Sequence, residues 1–180
     1  MDSNIFRLNY AAIALPDVAV PPGGSKEVKL DLTTENAQAE LTGFPYFIDC
    51  ALKVFDDVYV FKIPCSLTIG MVPGYSISLE DYKAVISAPD IVKNQEVLAN
   101  KLGLGEFVEH FKNNNLCEVV RQENGPNEMM VYACELVNGV KLVTEVIFEK
   151  ATNSVNMRIS GPSATYLQFF QHALSMIVNL

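Results

Sequence analysis

The spacing of apolar and polar positions changes period several times along this chain, and each change marks an element. Met129 to Val137 is a run of apolar, β-branched and aromatic residues, and Val140 to Phe148 is a second. Asn138-Gly139 stands between them, a pair that tolerates positive φ and predicts a hairpin. Ser154 to Ser160 then alternates with period two, the signature of a half-buried strand. After Gly161-Pro162, Ser163 is placed to cap a helix that runs to Val178. Helical spacing puts Tyr166, Phe169, Phe170, Ala173, Leu174 and Ile177 on one face of it. These elements predict an antiparallel sheet with a helix laid across one side.

Upstream, Ser78 followed by Glu80 and Asp81 predicts the start of a short helix over 79–86, and Pro89 stops it. Residues 91–101 stay open between strand and helix, because Asn94 to Lys101 has helical composition. Gly103 and Gly105 introduce a short amphipathic helix from Glu106 to Lys112, with Phe107, Val108 and Phe111 on one side. Leu116 to Arg121 is a strand, and Glu123 to Pro126 a turn. Residues 1–70 contain strand-like runs at Ile5–Leu8, Lys26–Leu32, Phe47–Phe55 and Val58–Ile69. Pro21 to Ser25 is a loop by composition, and Ala37–Leu41 is ambiguous, preceded by Thr33 to Asn36 as cap or polar turn. Pro64 makes the last run an edge strand or marks a bulge. Met71 to Gly74 is a natural joint. The fold class is therefore α+β, with one subdomain over 1–72 and a second over 73–180.

Composition narrows the function more than the fold. The chain has 180 residues, 49% of them hydrophobic, enough for one good core or two small ones. No apolar run approaches the roughly 20 residues that span a bilayer. The start, Met1 to Asn4, lacks the basic and apolar regions of a secretory signal. The net charge of −8 argues against nucleic acid and against docking on anionic lipid through the overall field. Cys50, Cys65, Cys117 and Cys134 are far apart and form no C-x-x-C pair, so buried free thiols are expected.

Catalytic chemistry has little to build on. His110 and His172 are the two histidines, and neither has a nucleophile or orienting group in its local sequence. Gly103-Leu104-Gly105 lacks the third glycine of a dinucleotide motif, and the acid pairs Asp56-Asp57 and Glu80-Asp81 suit a turn and a helix first turn. No enzyme activity, metal or cofactor is expected.

Several short segments occur in an order that carries a resemblance. Asp57-Val58-Tyr59-Val60-Phe61, Asn113-Asn114-Asn115, Leu136-Val137-Asn138-Gly139-Val140 and Thr144-Glu145-Val146 follow one another, with the terminal helix at the end. The series resembles the appendage, or ear, of the β-adaptins of clathrin adaptor complexes. It is closest from about 113 to 180 and looser before that. The resemblance implies a partial immunoglobulin-like β-sandwich over 1–72 and a platform subdomain over 73–180. The α-type and coatomer γ-type ears share that plan.

In that family the platform holds a shallow groove between its first helix and its sheet. The groove receives amphipathic helical peptides of accessory and cargo-adaptor proteins, and the family also binds clathrin. Aromatic side chains of the ligand enter the groove and a ligand arginine meets an acidic residue. By resemblance, Tyr82 stands where the family has a groove tryptophan, followed by a matching Lys83. Glu145 matches the groove glutamate. Val131 replaces the groove tyrosine, and Gln122 an arginine, with Arg121 the nearest cation.

The hairpin register decides whether Tyr132 restores the missing ring. A two-residue Asn138-Gly139 loop sets Tyr132 opposite Glu145, whereas a three-residue loop with Gly139 in the left-handed region sets Val131 there. A cytoplasmic protein, peripheral at coated membranes, is what the resemblance implies. A half-sandwich leaves sheet edges open, so self-association through the N-terminal region is a further expectation. The alternatives are the ear of a related adaptor or coatomer subunit and a structural dimerisation fragment with no working groove.

Overall fold

The computed structural model describes residues 6–8, 21–25, 32–34, 46–54, 56–98 and 100–179. The chain divides into two compact units, the main boundary falling between Pro64 and Cys65. In the first, β1 (Phe6–Leu8) pairs antiparallel with β2 (Leu32–Thr34), and β3 (Tyr46–Val54) pairs with β4 (Asp57–Cys65). Thr33 and Thr34 thus belong to a strand rather than to a cap or turn. The expected strand over Lys26–Leu32 and the segment Ala37–Leu41 lie outside the described residues, apart from Leu32.

The apolar run from Val58 to Ile69 does not form one strand. β4 ends at Cys65, directly after Pro64, which has no N–H to give to a ladder. Leu67–Gly70 then turns as a short 3-10 helix, capped by Ser66, whose hydroxyl accepts from the Thr68 N–H at 3.3 Å.

The second unit is built on a five-stranded antiparallel sheet. Its strands are β5 (Val92–Leu98), β6 (Cys117–Asn124), β7 (Asn127–Glu135), β8 (Lys141–Glu149) and β9 (Ser154–Gly161), in the order β5-β9-β8-β7-β6. Residues 92–98 are therefore a strand. Pairing along the whole of β9 outweighs the helical composition of the segment.

Three helices accompany the sheet: α1 (Leu79–Ser87), α2 (Leu104–Asn113) and α3 (Ala164–Val178). Ser78 and Ser163 cap α1 and α3, accepting from the N–H groups of Asp81 and Tyr166. The second helix starts at Leu104, two residues before Glu106, because the Glu106 carboxylate reaches back to accept the Gly103 N–H at 3.1 Å. Gly105 is absorbed into its first turn.

Period-two alternation splits the sheet into two faces. Met130, Tyr132 and Cys134 of β7 share one face with Leu142, Val146 and Phe148 of β8 and Val155, Met157 and Ile159 of β9, all buried. Phe107 and Phe111 of α2 pack there, Phe107 edge-on to Phe148 and Phe111 tilted on Tyr132 at 4.7 Å. From α3 the buried residues are Leu167, Phe170, Ala173, Leu174, Ile177 and Val178. The helix is rotated from the expected face: Leu167 goes in, while Tyr166 and Phe169 stay half-buried. The Tyr166 hydroxyl accepts from the Asn138 amide at 3.0 Å. Beneath these helices lies the main core.

The hairpin between β7 and β8 has a three-residue loop, Val137 to Gly139. Leu136 N–H donates to the Val140 carbonyl at 2.8 Å, and Gly139 alone takes a positive φ, +81°. Asn138 instead accepts the Val140 N–H with its side chain at 3.3 Å. The register that follows sets Val131 opposite Glu145 and Tyr132 opposite Thr144.

Candidate functional site

The other face of the five-stranded sheet is only partly covered. At one end α1 packs Tyr82, 6% exposed, against Ala133 and Val143, with Tyr75, Ile77, Val85 and Ile86 around them. Cross-strand register sets out the rest of that face in rows. Next to Tyr82 run Gln95, Arg158, Glu145, Val131 and Val120, on β5, β9, β8, β7 and β6. The row beyond holds Val97, Asn156, Ile147, Met129 and Gln122. Val97, Val120, Met129 and Ile147 are exposed, an apolar floor that water reaches. The groove over these rows encloses about 190 Å³, room for one or two anchor side chains but less than a small-molecule site needs.

One carboxylate organises its polar side. The Tyr82 hydroxyl donates to Glu145 Oε1 at 2.8 Å, and Arg158 Nη1 donates to Glu145 Oε2 at 3.3 Å. Burial, then the bond to Glu145 and its charge, pushes the Tyr82 phenol up to about 12. Beside this group the Gln95 amide donates to the Asn156 side-chain carbonyl at 3.1 Å. An apolar strip and a polar strip therefore run side by side.

Of the residues singled out from sequence, Tyr82, Glu145, Val131 and Gln122 come together on this face. Lys83 is exposed on α1 and does not line the groove. Tyr132 is corrected: its ring lies on the opposite face, 1% exposed, against Phe111. Its hydroxyl donates to Met130 Sδ at 3.2 Å and meets Glu118 at 3.5 Å, beside a separate cleft at the start of β6. The one-residue difference in loop length turns it away, since successive strand residues point to opposite faces. Arg121 likewise faces away and pairs with Glu128 at 2.7 Å.

Sequence reasoning missed Arg158 and the apolar floor of Val120, Met129 and Ile147. The signal was there in part. Glu145 shares a face with Ile147, and the connection at 150–153 brings Arg158 directly opposite Glu145. Finding it needs the register of β8 and β9 as well as their existence.

Neither histidine enters the groove. His110 Nδ1 lies 3.2 Å from the Ile177 carbonyl, joining α2 to α3, and His172 is exposed. Among the described residues no group of three His, Cys, Asp or Glu is placed to hold a metal ion. Burial raises the Cys134 thiol far above its ordinary value, whereas Cys50 and Cys117 are free and half-buried rather than buried as expected. No described helix is long and apolar enough to cross a membrane.

A helix-flanked antiparallel sheet with a carboxylate under its first helix can now be set beside known proteins. The family model for the C-terminal subdomain of the beta2-adaptin appendage matches residues 73–178. The chain belongs to this family. No curated protein matches the chain. The matched region takes in all three helices, β5 to β9, and every groove residue named above. As an adaptor appendage, the chain is a module of a protein-interaction type. In this appendage Tyr82 and Glu145 are joined by a hydrogen bond beside an open apolar floor.

Proposed function

We propose that this appendage domain recruits accessory and cargo-adaptor proteins to a forming vesicle coat by taking their amphipathic helical segments into the groove beside α1. The observation that carries the reading is the Tyr82–Glu145 bond at the edge of exposed Val120, Met129 and Ile147. A helix of 3.6-residue period laid over these rows presents apolar anchors to the floor and polar side chains to Gln95, Asn156 and Glu145. Val131 in place of a large ring leaves room for a ligand aromatic. Clathrin is proposed as a further partner and the cytoplasmic face of coated membranes as the location. Affinity on the order of micromolar fits one or two anchors in a shallow groove. Weak single contacts suit an adaptor that engages many partners at once.

Residues 1–72 are proposed to form the partial immunoglobulin-like sandwich and to self-associate. Exposed Val58, Tyr59, Val60 and Phe61 on β4 support this, since such strands seek further pairing. Sedimentation over a concentration series tests it, and a monomer throughout would remove the idea.

The groove is tested by calorimetric titration with a helical peptide bearing two phenylalanines one turn apart and a downstream arginine. Micromolar binding is expected for the wild type and none for Glu145→Arg. Equal binding by both proteins would place the peptide elsewhere on the domain.

A further inference from the structure

The two oxygens of Glu145 are not equivalent. Oε1 is held by Tyr82, whose ring is buried in the packing beneath α1. Oε2 is held by Arg158, a longer contact at 3.3 Å from a side chain that is 57% exposed. The backbone register sets Arg158 directly opposite Glu145, within reach of its carboxylate. Any cation arriving on a ligand meets a carboxylate that already has a guanidinium.

We infer that Arg158 is a specificity-determining residue of the groove: it occupies the oxygen of Glu145 that a ligand's cation would take, and must be displaced for that cation to bind. The inference rests on the groove reading above. An exposed pair of this kind shifts an equilibrium by at most about fivefold, so it can be displaced, but at a cost. Ligand recognition in the wild type is thereby weighted toward the apolar floor, and a ligand arginine adds little. The arrangement also selects against ligands whose only strong feature is positive charge. Net acidity would otherwise draw such ligands to the domain.

The experiment compares two peptides on the full chain by calorimetry: the two-phenylalanine helix with its arginine, and the same helix with that arginine replaced by alanine. The readout is the ratio of their affinities in the wild type, in Arg158→Gln, and in the double variant Arg158→Gln/Glu145→Gln. Glutamine keeps the aliphatic stem, and urea midpoints check that each variant is folded. The ratio is expected to rise threefold or more in Arg158→Gln and to fall back in the double variant, because the gain needs the freed carboxylate. An unchanged ratio overturns the inference while leaving the groove standing. A lower ratio also overturns it, and would mean that Arg158 touches the ligand itself. No binding of either peptide to any of the proteins overturns the groove reading, and the inference falls with it.

Discussion

Tyr82 and Glu145, 63 positions apart in the chain, are joined by a 2.8 Å hydrogen bond from a phenol to a carboxylate. The bond ties α1 to the middle strand of the sheet and aims the carboxylate along the open face. Replacing Tyr82 with Phe keeps the ring in its packing and removes the donor. A loss of about 0.5–1.5 kcal/mol is expected, read as a lower urea midpoint with an unchanged slope. A change in slope would mean that α1 had detached.

Tyr132 provides the matching control. Tyr132→Phe removes a hydroxyl on the far side of the sheet, so peptide affinity should stay within twofold of wild type. Stability should fall by about 1 kcal/mol or less, since the donor's partners are a thioether and a distant carboxylate. A tenfold loss of peptide binding would contradict the assignment of Tyr132 to the core face.

Acid should loosen the lower end of the sheet. Glu128 is buried and accepts from Arg121 at 2.7 Å and from Lys150 at 3.1 Å, and Lys150 also reaches Glu123. The bonds from Arg121 and then Lys150 hold its carboxyl below the ordinary value of 4.5. The sign follows: this stability is complete above about pH 4.5 and is lost as pH falls through the lower folded value. Glu128→Gln should lower stability at neutral pH by about 1–2 kcal/mol and flatten the acid limb of the stability curve. An unaltered acid limb would show that other carboxylates set it.

At the alkaline end the phenols act in the opposite sense. Tyr75 is raised to about 12 by burial and then by the Glu135 charge, and Tyr82 to about 12 by burial and its bond to Glu145. Folding is favoured by their protonated forms, fully so below pH 10, and this support disappears between pH 10 and about 12. Phenolate absorbance of these tyrosines should appear together with loss of circular dichroism in that window. Smooth titration ahead of unfolding would mean that both rings are open to solvent.

Gly139→Ala tests the loop that sets the groove register. At φ +81° a Cβ is strained, although nothing crowds it in space. The cost should be about 1–2 kcal/mol from backbone conformation alone. Amide exchange at Leu136 and Val140 should rise first, because their bond closes the loop. A neutral substitution would show that the loop relaxes to another turn.

Much of this architecture was legible along the chain. Ser78 and Ser163 announced two helix starts because a hydroxyl cap is a local device, satisfied within three residues. β7, β8 and β9 were equally plain, since buried strands need apolar runs whatever surrounds them. Residues 92–98 were not, because an exposed edge strand has few apolar positions to betray it. The long run from Val58 hid a strand and a 3-10 turn, both apolar enough to look continuous.

The groove divides along the same line. Local chemistry was enough to establish an α+β chain with an Asn-Gly hairpin and a capped terminal helix, and the family resemblance singled out Tyr82 and Glu145. Whether Val131 or Tyr132 faced Glu145 depended on one residue of loop length, settled by how Leu136 and Val140 close the turn. The partnership of Arg158 with Glu145 depended on the register between β8 and β9. Composition and period act within a few residues, so they specify elements. Which side chains meet across strands depends on long-range pairing, and there a shift of one residue turns every side chain to the opposite face.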